Sequence, residues 1–195
     1  MKLDALSDTQ WRHLRKAGDD PKHPFRNVVL STIAPDGTPQ SRYLILRAAN
    51  ADARTIELHT DIRSAKWGEL ANHPRISLLA YDAEARVQLR LTGTAIRHLP
   101  GTAVNDAAWG GLSTWARQTY CGGPPGVVTD WVERDEISGL PPTESDVEHG
   151  RDRFGVLTLH ITAMDWFKHP RGDIRRAQFS YGEDGALAGA AWVAP

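Results

Sequence analysis

Apolar and polar residues alternate with a period of two over Asn27 to Ile33, Gln40 to Ala49, Thr55 to Thr60, Arg75 to Tyr81 and Arg86 to His98, the spacing of half-buried strands. In the last of these, Val87, Leu89 and Leu91 face one way and Gln88, Arg90 and Thr92 the other. Ala34-Pro35-Asp36-Gly37-Thr38-Pro39 carries hairpin-turn chemistry, and Asp82 to Ala85 makes a second short turn. The alternation resumes in Phe154 to Trp166, Arg175 to Tyr181 and Leu187 to Val193, with Gly182-Glu183-Asp184-Gly185 as a hairpin turn. Strands joined by short turns make an antiparallel sheet. This many of them without long helices between predict a mainly β chain, a barrel or a sandwich.

Helical spacing occurs in three places. Residues 7–17 predict an N-terminal helix with Ser7 as its cap, ended by Gly18-Asp19-Asp20-Pro21 and expected to pack on the outside. Ser64 opens a short helix that Pro74 closes, and Ala103 to about Thr119 predicts a third, carrying Trp109 and Trp115. Residues 120–150 are the longest irregular segment, expected to be a lid, a partner contact or disordered. No internal repeat or second domain is visible, so residues 1–195 are taken as one domain.

Two stretches raise chemistry. In Ser41-Arg42-Tyr43-Leu44-Ile45-Leu46-Arg47 the period of two sets Arg42, Leu44 and Leu46 on one face and Tyr43, Ile45 and Arg47 on the other. A strand this apolar is expected to be buried on both sides, so an arginine near its ends either meets an anion or caps the strand in solvent. The second stretch is the strand-to-helix turn His59-Thr60-Asp61-Ile62-Arg63-Ser64-Ala65-Lys66. A helix start carries partial positive charge and favours acidic residues, yet Arg63 and Lys66 stand there. With the hydroxyls of Thr60 and Ser64 the turn suits a phosphate; the alternative is two cations reaching into water.

Composition narrows the field. With 195 residues, 41% hydrophobic and 24% charged, the chain can build a real core. No apolar run approaches bilayer length and the first residues lack a signal-peptide core, so a cytoplasmic protein is expected. A net charge of -1 and no basic stripe argue against nucleic acid. The single Cys121 excludes an internal disulfide. The eight histidines include no i, i+4 pair, so no metal is expected. Gly-x-Ser-x-Gly, Walker and Gly-x-Gly-x-x-Gly motifs are absent. If the chain is an enzyme, an organic cofactor is the expected source of its chemistry.

As a set, Arg42-Tyr43-Leu44-Ile45-Leu46-Arg47, His59-Thr60 with Ser64-Ala65-Lys66, Gln88, Gln118-Thr119, and Trp166 with Arg175-Arg176 resemble the pyridoxamine 5′-phosphate oxidase-like family of FMN-binding split-barrel proteins, in order and approximate spacing. The resemblance implies a homodimer of antiparallel split β-barrels with FMN in the clefts between subunits. It implies that Arg42 and Lys66 hold the FMN phosphate with Ser64 close by. The backbone of Tyr43, Leu44, Ile45 and Leu46, with His59 and Thr60, would line the flavin and its ribityl chain. Gln88, Gln118 and Thr119 would approach from the other subunit, as would Trp166 and Arg176.

There are departures. Ala65 stands where the family has an arginine, with Arg63 as a candidate substitute. The tyrosine, arginine and serine that clamp the substrate phosphate in the oxidases proper are unmatched in Gly101 to Trp109. Arg47 replaces a lysine, and Ile174-Arg175-Arg176 replaces an Arg-x-His pair. The function expected is therefore an FMN-dependent oxidoreductase acting on a small anionic substrate, oriented by Arg47, Arg175 and Arg176, with Trp109 or Trp115 as a pocket wall or as core. The alternatives are a true pyridoxamine or pyridoxine 5′-phosphate oxidase, a non-catalytic FMN-binding protein, and a split barrel preferring deazaflavin or haem.

Overall fold

The computed structural model describes residues 2–128 and 142–195. Its centre is one antiparallel sheet of β1 (Asn27–Ile33), β2 (Pro39–Asn50), β3 (Thr55–Asp61), β4 (Arg75–Asp82), β5 (Val87–His98), β6 (Phe154–Lys168), β7 (Arg175–Tyr181) and β8 (Leu187–Val193). The spatial order is β3-β2-β1-β4-β5-β6-β7-β8. β3 also pairs with β6 along its whole length, from Thr55↔His160 to Asp61↔Phe154. The first six strands thus close into an antiparallel barrel, and β7 and β8 extend the sheet beyond it.

Closure needs β6 to pair with both β3 and β5, and β6 adjusts at a bulge opposite Gly93, where Thr92 pairs with Ala163 but Gly93 pairs with Ile161 and Thr162 is passed over. A Cβ on Gly93 would lie 1.9 Å from the carbonyl oxygen of His160, so only glycine fits.

The alternation seen in the sequence decides which side faces inward. Leu30, Leu46, Leu58, Leu78, Leu89 and Leu157 fill the barrel and are fully excluded from solvent. Their neighbours point outward, and paired residues line up across the strands as Tyr43, Val29, Leu79, Arg90, Asp165 and Gln178. Expected burial of β2 on both sides is therefore corrected: Tyr43 is 76% exposed and Ile45 41%. Among the described residues no second layer covers this face, so an apolar stretch on it marks a free surface, not a core strand.

Helix α1 (Leu3–Asp19) also departs from expectation. Its N-cap is Lys2, and Ser7 is buried with Oγ 2.8 Å from the Tyr181 hydroxyl. Trp11 Nε1 donates to the same hydroxyl at 3.1 Å, and Leu6, Trp11, Leu14 and Ala17 join the main core. The helix is integral to the core and not laid on the outside, because its apolar stripe carries a Trp that needs complete cover.

The helix expected from Ala103 to about Thr119 is two, α3 (Ala103–Gly110) and α4 (Thr114–Gln118). Gly110-Gly111 stops the first, and Ser113 caps the second by accepting from the Ala116 N–H. α2 (Ala65–Asn72) follows β3 as expected. Within the segment expected to be irregular, Thr143 and Asp146 form a capping box that starts α5 (Glu144–Val147), and a 3₁₀ turn runs over Glu148–Arg153. Residues 129–141 of that segment lie outside the described residues. Among the described residues no helix is long and apolar enough to cross a membrane.

Candidate functional site

The strand-to-helix turn from β3 into α2 is fixed by three contacts. Ser64 Oγ donates to the Asp61 carbonyl at 2.6 Å, the Ser64 N–H bonds the same carbonyl, and the Trp67 indole lies against Gly155 of β6. A Cβ at Gly155 would come within 2.6 Å of that ring, so the glycine sets how closely α2 approaches the barrel. The first turn of α2 holds no acidic residue and no side-chain cap, and although the Trp67 N–H donates to the Ser64 carbonyl, the partial positive charge of the helix start has no acidic counterpart in that turn.

Lys66 Nζ donates to Thr60 Oγ1 and to Ser64 Oγ, both at 3.0 Å. Neither is charged. Burial pushes the Lys66 pKa below its ordinary value, and the nearby Arg42 guanidinium pushes it further. Arg42 comes from β2 and donates to Glu69 Oε2 at 3.0 Å and to Thr32 Oγ1, while Thr32 donates to the same carboxylate oxygen at 2.5 Å. Glu69 and Thr32 are buried, so Arg42 is held from behind.

Arg63 does not join this group. Its guanidinium grips Asp61 at 2.6 and 3.0 Å and donates to the Gly122 carbonyl at 3.1 Å. As a substitute for the arginine missing at Ala65 it is corrected: Asp61, two residues earlier, was the closer partner for its charge. Arg42 is matched by Glu69 and Arg63 by Asp61, which among the described residues leaves the positive charge of Lys66 unpaired with a carboxylate.

The remaining sequence candidates are dispersed. His59 Nε2 meets Glu57 at 2.8 Å, and its Nδ1 is buried without a partner, as is Nε of the half-buried Arg47. Leu44 packs against the core and Leu46 is inside it. Gln88 is half-buried on the outer face between Tyr81 and Phe167. Gln118 is half-buried at the end of α4, and the exposed Thr119 donates to the Ala116 carbonyl at 2.7 Å. Trp166 is 3% exposed, packed edge-on to Trp192, with its indole N–H unpartnered. Arg175 pairs with Asp173 at 2.6 Å, and Arg176 forks onto Asp165 at 2.6 and 3.0 Å. Trp109 lies in a small second core with Tyr120 and Phe154, whereas Trp115 is 46% exposed.

The chain thus gathers Arg42, Thr60, Ser64 and Lys66 at one turn; Gln88, Trp166 and Arg176 have neighbours in β6 to β8, and Arg175 pairs with Asp173 in the β6–β7 connection. Three residues were not singled out from the sequence. Glu69 stands three positions after Lys66 on the same helix, a spacing that signals a shared face. Asp165 collects Arg90 at 2.7 Å, Arg176, and Gln178 at 3.4 Å; those donors, Arg176 first, hold its carboxyl below the usual range. Nothing local announces that convergence. Tyr120 is pushed up to about 12 by burial.

Residues 8–98 match a sequence family described as pyridoxamine 5′-phosphate oxidase, FMN-binding domain. A pyridoxine/pyridoxamine 5′-phosphate oxidase of Caulobacter vibrioides is 36% identical over 81 residues, which cover 42% of this chain and 36% of that protein. One from Nocardioides is 37% identical over 84 residues, covering 43% of this chain and 38% of the relative. These matches span little more than a third of the length of the curated relatives. Among solved structures, a pyridoxamine 5′-phosphate oxidase-related, FMN-binding protein from Nostoc punctiforme superimposes with a TM-score of 0.73, covering 96% of both chains at 21% identity. PhzG of Burkholderia lata, solved with tetrahydrophenazine-1-carboxylic acid, does so with a TM-score of 0.68 at 20% identity, covering 96% of this chain and 91% of that one. At those identities the superpositions speak for the fold.

Proposed function

We propose, because residues 8–98 match the pyridoxamine 5′-phosphate oxidase, FMN-binding domain family, that this chain is an FMN-dependent oxidoreductase whose cofactor phosphate sits at the start of α2. The observation that carries the reading is Lys66, a partly buried ammonium held only by two hydroxyls beside an acid-free helix start. A phosphate dianion supplies the missing counter-charge and takes charge-assisted hydrogen bonds from Lys66 and from the helix N–H groups. The residues present fit the group.

When bound, FMN supplies two-electron redox chemistry. The chain does the rest. Glu69 and Thr32 fix Arg42 so that its remaining N–H bonds are aimed and not free to wander. Thr60 and Ser64 hold Lys66 in place. Backbone groups of Tyr43 to Leu46, with the unpartnered His59 Nδ1, offer hydrogen-bonding groups to a flavin and its ribityl chain. Arg47 and Arg176 are the cations assigned to orienting an anionic substrate, and Arg175 the outlying third. Gln88, Gln118, Thr119, Trp166 and Arg176 are assigned to the partner side of a homodimer.

The homodimer is supported by the exposed apolar half of the outer face. Tyr43, Ile45 and Tyr81 are 76%, 41% and 44% exposed, and Tyr43 and Tyr81 border a hollow of about 610 Å³ with Pro24, Val29 and Leu79. The substrate is a small molecule other than pyridoxamine phosphate, because the segment Gly101 to Trp109 lacks the family's phosphate clamp.

Protein purified with flavin absorption bands, binding FMN far more tightly than the phosphate-free riboflavin, supports the assignment; equal affinity for the two removes it. Light scattering that gives a dimer for the natural chain and a monomer for Tyr43→Glu supports the interface, and a monomeric natural chain overturns it. Oxidation of pyridoxamine 5′-phosphate by the purified protein would replace the substrate reading with the oxidase proper.

A further inference from the structure

The outer face changes character between β4 and β5. Leu79 stands opposite Arg90, and the row from there to β8 is polar or small: Arg90, Asp165, Gln178 and Ala191. A hollow of about 490 Å³ opens in this half, with Arg90, Thr92, Gln178 and Ser180 among its polar lining and Ala163 and Gly189 where larger side chains would fill it. That volume falls in the range of small-molecule sites. A Cβ on Gly189 would lie 2.9 Å from Ser180 Oγ, so the glycine leaves that hydroxyl open to a visitor.

The charges in the hollow do not balance. Asp165, 9% exposed, takes Arg176 through Nε and Nη2, Arg90 through Nη2 at 2.7 Å and Gln178 through Nε2 at 3.4 Å. Three of these four donors converge on Oδ2 and one on Oδ1. Two guanidinium groups share one carboxylate, so one positive charge remains. Arg90 is half exposed, and its contact with Asp165 is the only side-chain hydrogen bond found for it among the described residues. The rest of its fork is available, and Thr92 and Ser180 offer hydroxyls nearby.

We propose that this hollow is a binding site for a small monocarboxylate, gripped by Arg90. A single negative charge completes the group, and the flat fork of a guanidinium matches a carboxylate through two parallel hydrogen bonds. The side-chain carbonyl of Gln178 and the hydroxyls of Thr92 and Ser180 accept from donors on the rest of the ligand, and the small residues of β6 and β8 leave room for a flat apolar body. The site is separate from the turn that holds Lys66, and it shares only Arg176, through Asp165, with the residues assigned above to the partner side of the homodimer.

The test uses the full chain without FMN, so that its result is independent of the phosphate site. Benzoate and the uncharged, isosteric benzamide are titrated while the amide signals of Gln178, Ser180 and Gly189 are followed by NMR. Saturable shifts with benzoate, at roughly tenfold or greater preference over benzamide, are expected. Arg90→Gln should abolish that preference, and Arg90→Lys, which keeps the charge but not the fork, should retain only part of it. Equal binding of the two probes, signals that move with neither, or a preference that survives Arg90→Gln would each overturn the proposal.

Discussion

Two groups of charges, one at the start of α2 and one on the outer face of β5 to β7, use the same residue types to opposite ends. On the outer face the carboxylate comes first: Asp165 collects four N–H donors, and Arg176 is satisfied by it. At the helix start the cation comes first: Lys66 is wrapped by hydroxyls, with Arg42 close enough to depress its pKa and Glu69 already committed to Arg42. The donor-bound carboxylate contributes to the fold and leaves its spare positive charge on the half-exposed Arg90. A cluster with a buried cation left over costs the fold something and is explained by what it binds.

The comparison breaks most sharply at Lys66. Lys66→Ala should weaken FMN by about 1.5–3 kcal/mol, the scale of hydrogen bonds to a charged group, and leave riboflavin affinity where it was; flavin fluorescence titration reads both. Unchanged FMN affinity would place the phosphate elsewhere. Asp165→Asn should do the reverse. It lowers folding stability by about 1–2 kcal/mol in urea melts, as two guanidinium groups lose a charged acceptor at a partly exposed site, and it leaves the ratio of FMN to riboflavin affinity unchanged.

The two groups also titrate at opposite ends of the pH scale. Asp165 has a depressed pKa in the fold, so its stabilisation is complete above the ordinary carboxylate value and fades as pH falls through the folded value; Asp165→Asn should remove that part of the acid sensitivity. Lys66 has a depressed pKa too, but its charged form is the acid. The unfolded chain holds that proton to higher pH than the folded one, so stability rises with pH between the folded and unfolded values. FMN affinity should fall over the same rise, because the phosphate needs the ammonium; a flat affinity profile would detach Lys66 from the ligand. The smallest effect belongs to Arg175→Ala. Its exposed pair with Asp173 should be worth no detectable change in melting temperature, and a clear loss would mean Arg175 does more than face solvent.

Much of this architecture could be read from the sequence because the barrel is written in alternation. β1, β7 and β8 begin and end where the apolar-polar period does, and β3 to α2 follows its Ser64 and Pro74 punctuation. The failures have physical reasons. Ser7 reads as a helix cap from the sequence, yet Tyr181, far along the chain, supplies a buried partner for that hydroxyl and draws α1 into the core. β2 was expected to be covered on both sides because apolar content does not reveal whether cover comes from the same chain. At the candidate site, Arg42, Ser64 and Lys66 were visible by type and spacing, but the neutralisation of Arg63 by Asp61 and the anchoring of Arg42 by Glu69 depend on which side chains a tight turn and a helix face bring together. The Asp165 group joins residues from three strands, and periodicity has no way of expressing it.

The bulge opposite Gly93 is where β6 changes employment. Before it, over Phe154 to His160, the strand seals a closed cylinder against β3; beyond it, over Ala163 to Lys168, the same strand carries β7 and the wall outside. A single missing side chain is what lets one ribbon perform both tasks, since even a methyl group there would collide with the neighbouring main chain at 1.9 Å. Descendants of this sequence are therefore free to redecorate the wall without disturbing the cylinder, provided that hinge stays bare.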